Sequence, residues 1–206
     1  MTGVSASVDL YWLPLGAGGH FVRLNGRLYE AAAALRARRL PSALYHSALE
    51  VDLGGKRYVI EMSPVWNEHA PGRGVVAEGA VGSRLAGRLR LFRYEVRCWR
   101  DGRIPDVTEA VDSPRRLASD AERARCVLDL VRDVPTPVWG RDELHTGDMW
   151  NSNSVVSWLI VRCGLDGERI LPPPGGRAPG WDAGLVIARR AQNESAPAPD
   201  DHVGRA

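Results

Sequence analysis

Three polar residues stand where their side chains could carry acyl-transfer chemistry: Ser152, His46 and Glu61. Ser152 opens an apolar run in Asp148-Met149-Trp150-Asn151-Ser152-Asn153-Ser154-Val155-Val156-Ser157-Trp158-Leu159-Ile160-Val161. Val155, Val156, Leu159 and Ile160 recur at helical spacing, with Trp158 and Val161 on the flank, so the pattern predicts a buried helix. Asp148, Asn151 and Ser152 are all N-cap types, and Gly164 after Cys163 suits a left-handed helix end. A hydroxyl in the first turn lies in the positive end of the helix dipole, where developing negative charge is stabilised. Plain capping of a core helix accounts for the same residues.

His46 falls in Ala43 to Val51 and Glu61 in Lys56 to Met62, two strand-like segments joined by Asp52-Leu53-Gly54-Gly55, which reads as a hairpin. Taken singly, His46 suits a partnered strand histidine. Glu61 suits an outward or salt-bridged residue with Lys56 or Arg57 at hand, because an unpaired buried carboxylate is costly. Taken together they suggest more. Adjacent antiparallel strands can hold His46 and Glu61 on one face, and a helix docked there would bring Ser152 to the imidazole. That is a nucleophile, base and orienting acid. The backbone amides of Ser152 and Asn153, with Asn151 or His145, would hold the oxyanion. Trp66 is placed to wall the cleft, and Trp150 to line an acyl pocket or pack in the core.

The remaining elements must position these residues. Val8 to Leu15 reads as a strand that Pro14 restricts to an edge, and Gly16 to His20 as a structural loop. Asn25 to Arg39 reads as a surface helix. Residues 68–87 are Gly-rich loop with a short strand at Gly74 to Ala77. Arg88 to Trp99 alternates as a long strand ended by Asp101-Gly102. Ser113-Pro114 opens a helical stretch to about Asp133, with Ala121, Ala124, Val127, Leu128 and Val131 on one face. Arg141 to Met149 is a polar approach loop, and Trp181 to Ala188 reads as a last strand. Hairpin-connected strands mixed with helices make the fold class α+β.

The chain has 206 residues, 44% hydrophobic, with a formal net charge of +2. That predicts a single domain over residues 1–191 and a disordered tail over 192–206. Dispersed arginines, basic only locally from Arg88 to Arg103, argue against a nucleic-acid partner. No segment has the form of a signal peptide or approaches the roughly 20 apolar residues of a membrane span. Cys98, Cys126 and Cys163 have neither metal nor redox spacing, and three dispersed cysteines suit reduced thiols in a cytoplasm. His46, His69 and His145 lack ligand spacing, so neither metal nor cofactor is expected.

Tyr45-His46-Ser47-Ala48-Leu49-Glu50-Val51 with Val59-Ile60-Glu61-Met62 resembles the His strand and the following strand of circularly permuted papain-like proteins, the NlpC-type and lecithin retinol acyltransferase-like families. Their nucleophile opens a helix in a motif of the type Asn-Cys-Glu-His-Phe-Val, to which Asn151-Ser152-Asn153-Ser154-Val155-Val156 is similar. Ser152 stands at the family's Cys, His46 matches its base, and Glu61 matches the polar third residue of some branches. The resemblance covers roughly residues 43–62 and 147–163. It implies an antiparallel sheet packed against the nucleophile helix, and a hydrolase or acyltransferase acting on a peptide, amide or acyl-ester substrate. A hydroxyl does not ionise as a thiol does, so Ser152 would need concerted deprotonation by His46. A serine branch, an inactive domain that keeps its cleft for a peptide or lipid-like ligand, and a position changed from Cys are the three explanations.

Overall fold

The structure is a computed structural model that describes residues 5–15, 35, 38, 40–65, 72 and 74–195. The expected Gly16 to His20 loop, the tail beyond 195 and Trp66 lie outside the described residues, as does the Asn25 to Arg39 helix apart from Leu35 and Arg38. The fold is α+β with a largely antiparallel sheet. Its strands are β1 (Ala6–Pro14), β2 (Ala43–Leu53), β3 (Lys56–Pro64), β4 (Val75–Ala80), β5 (Arg93–Arg100) and β6 (Val111–Ala118), in the spatial order β4-β5-β3-β2-β1-β6. A two-residue β7 (Gly176–Arg177) adds parallel pairing at the start of β2. The helices are α1 (Ala121–Leu130), α2 (Ser152–Arg162) and α3 (Trp181–Ser195).

Local chemistry explains most of this. Leu53 pairs with Lys56, and Gly54 and Gly55 take φ of 63° and 72°. Two positive φ values in a two-residue loop match the twist of the strands that it joins. Four expectations are corrected. The long strand expected from Arg88 begins only at Arg93, because two short 3-10 turns take up the chain from Ala86 to Phe92. β1 is interior, between β2 and β6, and not an edge strand. Pro14 lies past the last β6 partner, the Trp12–Val111 pair, so its missing N–H removes no bond on that side. Residues 111–118 are strand, not the start of a helix. β6 is the sheet's edge, which tolerates Pro114, and α1 begins only after Asp120, whose carboxylate accepts from the Arg123 N–H at 2.8 Å. The segment from Trp181 is helix α3, not a strand. Its buried Trp181, Leu185 and Ala188 recur at i, i+4 and i+7, and a short apolar run does not separate helix from strand without that count.

Helices α1 and α2 pack on one face of the sheet, and α3 packs on α2. On that face Val8, Leu10 and Trp12 of β1, Leu49 and Val51 of β2, Ile60 and Met62 of β3, and Tyr94 and Val96 of β5 meet Val127 of α1 and Leu159 of α2 in one core. The other face carries a smaller cluster of Leu13, Ala48, Val59 and Ile104. Helix α2 is central. Every residue from Ser152 to Ile160 is buried, because the sheet lies on one side and α3 on the other. The Trp12 and Trp181 rings stack obliquely at 5.0 Å between centroids where α3 starts. Cys126 of α1 and Cys163 at the end of α2 form a disulfide, leaving Cys98 as the free thiol. The expectation of reduced thiols is therefore corrected, and with it goes the cysteine argument for a cytoplasmic setting. Among the described residues no helix is long and apolar enough to cross a membrane.

The α2–α3 contact is close enough to predict a sign. A Cβ on Gly184 would lie 2.1 Å from Ser157 Oγ and 2.2 Å from the Ser154 carbonyl oxygen. Alanine gains about 1 kcal/mol of helix propensity over glycine, whereas forcing a methyl into a filled interface costs about 1–3 kcal/mol. Gly184→Ala should therefore lower the unfolding free energy in urea by up to about 2 kcal/mol net; a stabilised variant would contradict this contact.

Candidate functional site

The first turn of α2 is a densely hydrogen-bonded polar junction. Asn151 caps the helix: its Oδ1 accepts the Asn153 N–H at 2.9 Å, and its own N–H donates to Ser154 Oγ at 3.0 Å. Two of the helix's orphan amides are thereby satisfied reciprocally. Asn153 reaches the sheet and the α3 approach together. Its Oδ1 accepts from Ser47 Oγ at 2.8 Å, and its Nδ2 donates to the carbonyls of Tyr45 at 3.0 Å and Pro179 at 2.8 Å. Asn151 Nδ2 donates to the same Pro179 carbonyl at 2.8 Å. Ser154 Oγ donates to Gly180 O and Ser157 Oγ to Trp181 O, each at 2.7 Å. The Asp148 carboxylate accepts the Gly180 N–H at 2.6 Å and the Met149 N–H at 2.8 Å. Burial raises the Asp148 pKa from its ordinary value. These small polar residues rivet α2 to β2 and to the start of α3. The Asn153 amide expected in an oxyanion hole is already engaged by the cap. Among the described residues, only the Ser152 hydroxyl in this turn makes no hydrogen bond, and Ser152 is 5% exposed.

The alternation of β2 decides whether His46 meets that hydroxyl. Ser47, the residue bonded to α2, pairs with Trp12, which faces the helices. His46 pairs with Leu13, which belongs to the cluster on the opposite face. Successive side chains of a strand point to opposite faces, so the sheet itself lies between His46 and Ser152. The expected Ser152–His46 pair is therefore not assembled, and this corrects the sequence reading. Glu61 does share His46's face, since Ile60 and Met62 point to the helices. Its carboxylate, however, accepts from Arg97 Nη1 at 3.4 Å and does not orient the imidazole. Arg97 Nε also donates to Glu95 at 2.9 Å, and its guanidinium lies 5.1 Å from the Trp99 ring centroid. His46 is only partly buried by exposure, yet burial lowers its pKa to about 4, opposed by the charge of Asp106. The ring is neutral near pH 7.

The other expected residues are placed as follows. Trp150 is 2% exposed and lies in the main core. His145 is exposed, with φ of 52°, and its carbonyl accepts from Arg190 at 3.0 Å; no side-chain contact joins it to Ser152. Trp66 lies outside the described residues. Among the described residues no three His, Cys, Asp or Glu side chains gather as a metal site would require.

A different feature has the form of a binding site. Arg125, Leu128, Asp129 and Arg132 recur at i, i+3, i+4 and i+7 along α1 and the turn after it, so they share one stripe. The stripe faces Tyr58 at the hairpin end of β3, Val76 of β4 and Cys98 of β5 across a groove of about 870 Å3. That lies within the roughly 300–1,000 Å3 of small-molecule sites. Among the described residues Asp129 is the only acid lining the groove, and neither Arg125 nor Arg132 has an ion-pair partner. Cys98 is half-buried at the wall, and burial pushes its thiol up while Arg132 opposes this. The helical spacing of this stripe was present in the sequence. Only the fold shows that β4 and β5 complete the groove.

His46 gives a pH signature. Between pH 6.5 and about 4 the unfolded chain protonates this imidazole and the folded chain does not. Stability should therefore fall as pH drops through that window, by up to about 3 kcal/mol in all. The His46→Gln variant should lack this part of the acid limb in urea titrations between pH 7 and 4. Identical acid limbs would contradict the placement of His46.

No protein-family model matches the chain, and no curated protein or solved structure matches it.

Proposed function

We propose that this chain is a ligand-binding domain, and that it does not act as an acyl-transfer enzyme through Ser152, His46 and Glu61. The observation that carries the reading is the groove between α1 and the β3–β5–β4 edge, with two arginines that have no ion-pair partner among the described residues. Its lining combines apolar surface from Leu53, Tyr58, Val76 and Leu128 with the charges of Arg125 and Arg132. Such a lining suits a small molecule with an apolar body and an anionic head. Apolar burial and charge-assisted hydrogen bonds to the arginines both contribute, and the hydrogen bonds fix the orientation. Asp129, lying between the arginines, opposes the anion and so limits affinity. The resemblance to permuted papain-like proteins fits this proposal at the level of scaffold, as a helix opening at Ser152 and packed on an antiparallel sheet. It would be a member that keeps a ligand site without the catalytic pairing. The Ser152 hydroxyl, without a hydrogen-bond partner among the described residues, favours the rival enzymatic reading.

One preparation tests both. Dodecanoate should bind with a measurable heat and slow the alkylation of Cys98, while dodecanol and acetate bind far more weakly. Arg132→Ala should weaken dodecanoate about tenfold, and Asp129→Asn should tighten it. A fluorophosphonate should leave no adduct on Ser152. Dodecanoate affinity indifferent to both substitutions would overturn the groove reading. A Ser152 adduct lost in His46→Ala would restore the enzyme.

A further inference from the structure

The connection from β4 to β5 shows an unusual surface. It reads Ser83-Arg84-Leu85-Ala86-Gly87-Arg88-Leu89-Arg90-Leu91-Phe92-Arg93, with four arginines, no acidic residue and four large apolar residues. Leu85, Leu89, Leu91 and Phe92 are 70%, 63%, 58% and 41% exposed. They do not hang from a loose loop. Two short 3-10 turns, Ala86–Arg88 and Arg90–Phe92, hold the segment. The Leu89 N–H donates to the Ala86 carbonyl and the Phe92 N–H to the Leu89 carbonyl, each at 2.9 Å. The Phe92 carbonyl accepts from the Val81 N–H at 2.8 Å, and Arg141 Nε reaches the Gly82 carbonyl at 2.8 Å. The turn is also tight against β4, because a Cβ on Gly87 would lie 2.5 Å from the Ala80 Cβ.

The arginines divide into two sets. Arg84 is paired with Glu143, and Arg93 is paired with Glu78 at 2.8 Å, so these two anchor the base of the connection. Arg88 and Arg90 are exposed and have no ion-pair partner among the described residues. Two free cations thus alternate with aliphatic side chains on a held turn that projects between two strands. Isolated exposed leucines need no explanation, but a contiguous apolar group rimmed by charge marks an interaction surface.

We propose that this turn docks the protein onto an anionic lipid bilayer. Leu85, Leu89, Leu91 and Phe92 enter the boundary between headgroups and acyl chains, and Arg88 and Arg90 stay at the level of the lipid phosphates. A nucleic acid would satisfy the arginines but offers no apolar medium for four large side chains. Arg88 and Arg90 select an anionic surface, and the apolar side chains select one with a hydrocarbon layer beneath it. The surface is separate from the groove lined by α1, so each can fail without the other.

Cosedimentation of the full chain with vesicles tests this. Binding should occur to mixed phosphatidylglycerol–phosphatidylcholine vesicles, weaken with salt, and be absent with pure phosphatidylcholine. Removing Arg88 or Arg90 to Ala should weaken partitioning about fivefold for each. Leu89→Ser with Leu91→Ser should weaken it at least tenfold or so. These side chains are exposed, so the melting temperature should hold, and the vesicle result then reports docking and not folding. Absence of binding to anionic vesicles overturns the proposal, as does binding unchanged in the Leu89→Ser, Leu91→Ser protein. Binding to duplex DNA that ignores the leucine substitutions, or self-association abolished by them without vesicle binding, would assign the turn to a nucleic acid or to a second copy and overturn it as well.

Discussion

The hydrogen bond from Ser47 Oγ to Asn153 Oδ1 ties the central helix to the central hairpin, and the rest of the structure depends on it. It fastens the first turn of α2 to the face of β2 that Leu49 and Val51 turn toward the helices. Through the fixed two-residue period of a strand, the alternate residues face away. Asn153 then passes the constraint on, since its amide nitrogen reaches the Pro179 carbonyl at the approach to α3. Ser154 and Ser157 continue the line to the carbonyls of Gly180 and Trp181. A buried first turn favours pairing of such groups, because each unmade bond would cost about 1–3 kcal/mol, and among the described residues the Ser152 hydroxyl is the exception in this turn. The polar residues of this turn therefore carry structure, and the apolar residues that follow them carry the core.

Much of the fold was legible. The β2–β3 hairpin follows from Gly54 and Gly55, and α2 from its apolar period. The rest turned on competing signals. Ser113-Pro114 reads locally as the start of a helix, but in the fold it lies on an edge strand that tolerates proline, a fact of sheet order. The run from Trp181 to Ala188 looks extended because Val186 and Ile187 suit strands, while its buried set of Trp181, Leu185 and Ala188 is helical. The candidate site failed on register. Leu49 and Val51, like Ile60 and Met62, form the apolar set of each strand, and an apolar helix must cover that set. His46 and Glu61 are out of phase with it. Residue types suggested a triad, whereas the period of the strands excluded it.

Charge is distributed by the same logic. Arg97 is 4% exposed and held between Glu61 and Glu95, where removing one partner would strand a buried charge. On the surface the balance reverses. Arg125 and Arg132 line a groove with Asp129 between them, and Arg88 and Arg90 line an apolar turn, none of the four in an ion pair among the described residues. Buried ions on the face of the sheet away from the helices therefore serve the fold, and unpaired arginines at the periphery are the groups available to a partner.

Double-mutant cycles on unfolding free energy test the central claim most directly. Ser47→Ala and Asn153→Ala, singly and together, should show a coupling of about 1 kcal/mol, as a buried hydrogen bond between neutral groups does. His46→Ala and Ser152→Ala should be additive to within about 0.5 kcal/mol, as residues without shared partners are. The opposite pattern, with His46 coupled to Ser152 and Ser47 independent of Asn153, would mean that β2 presents its other face to the helix.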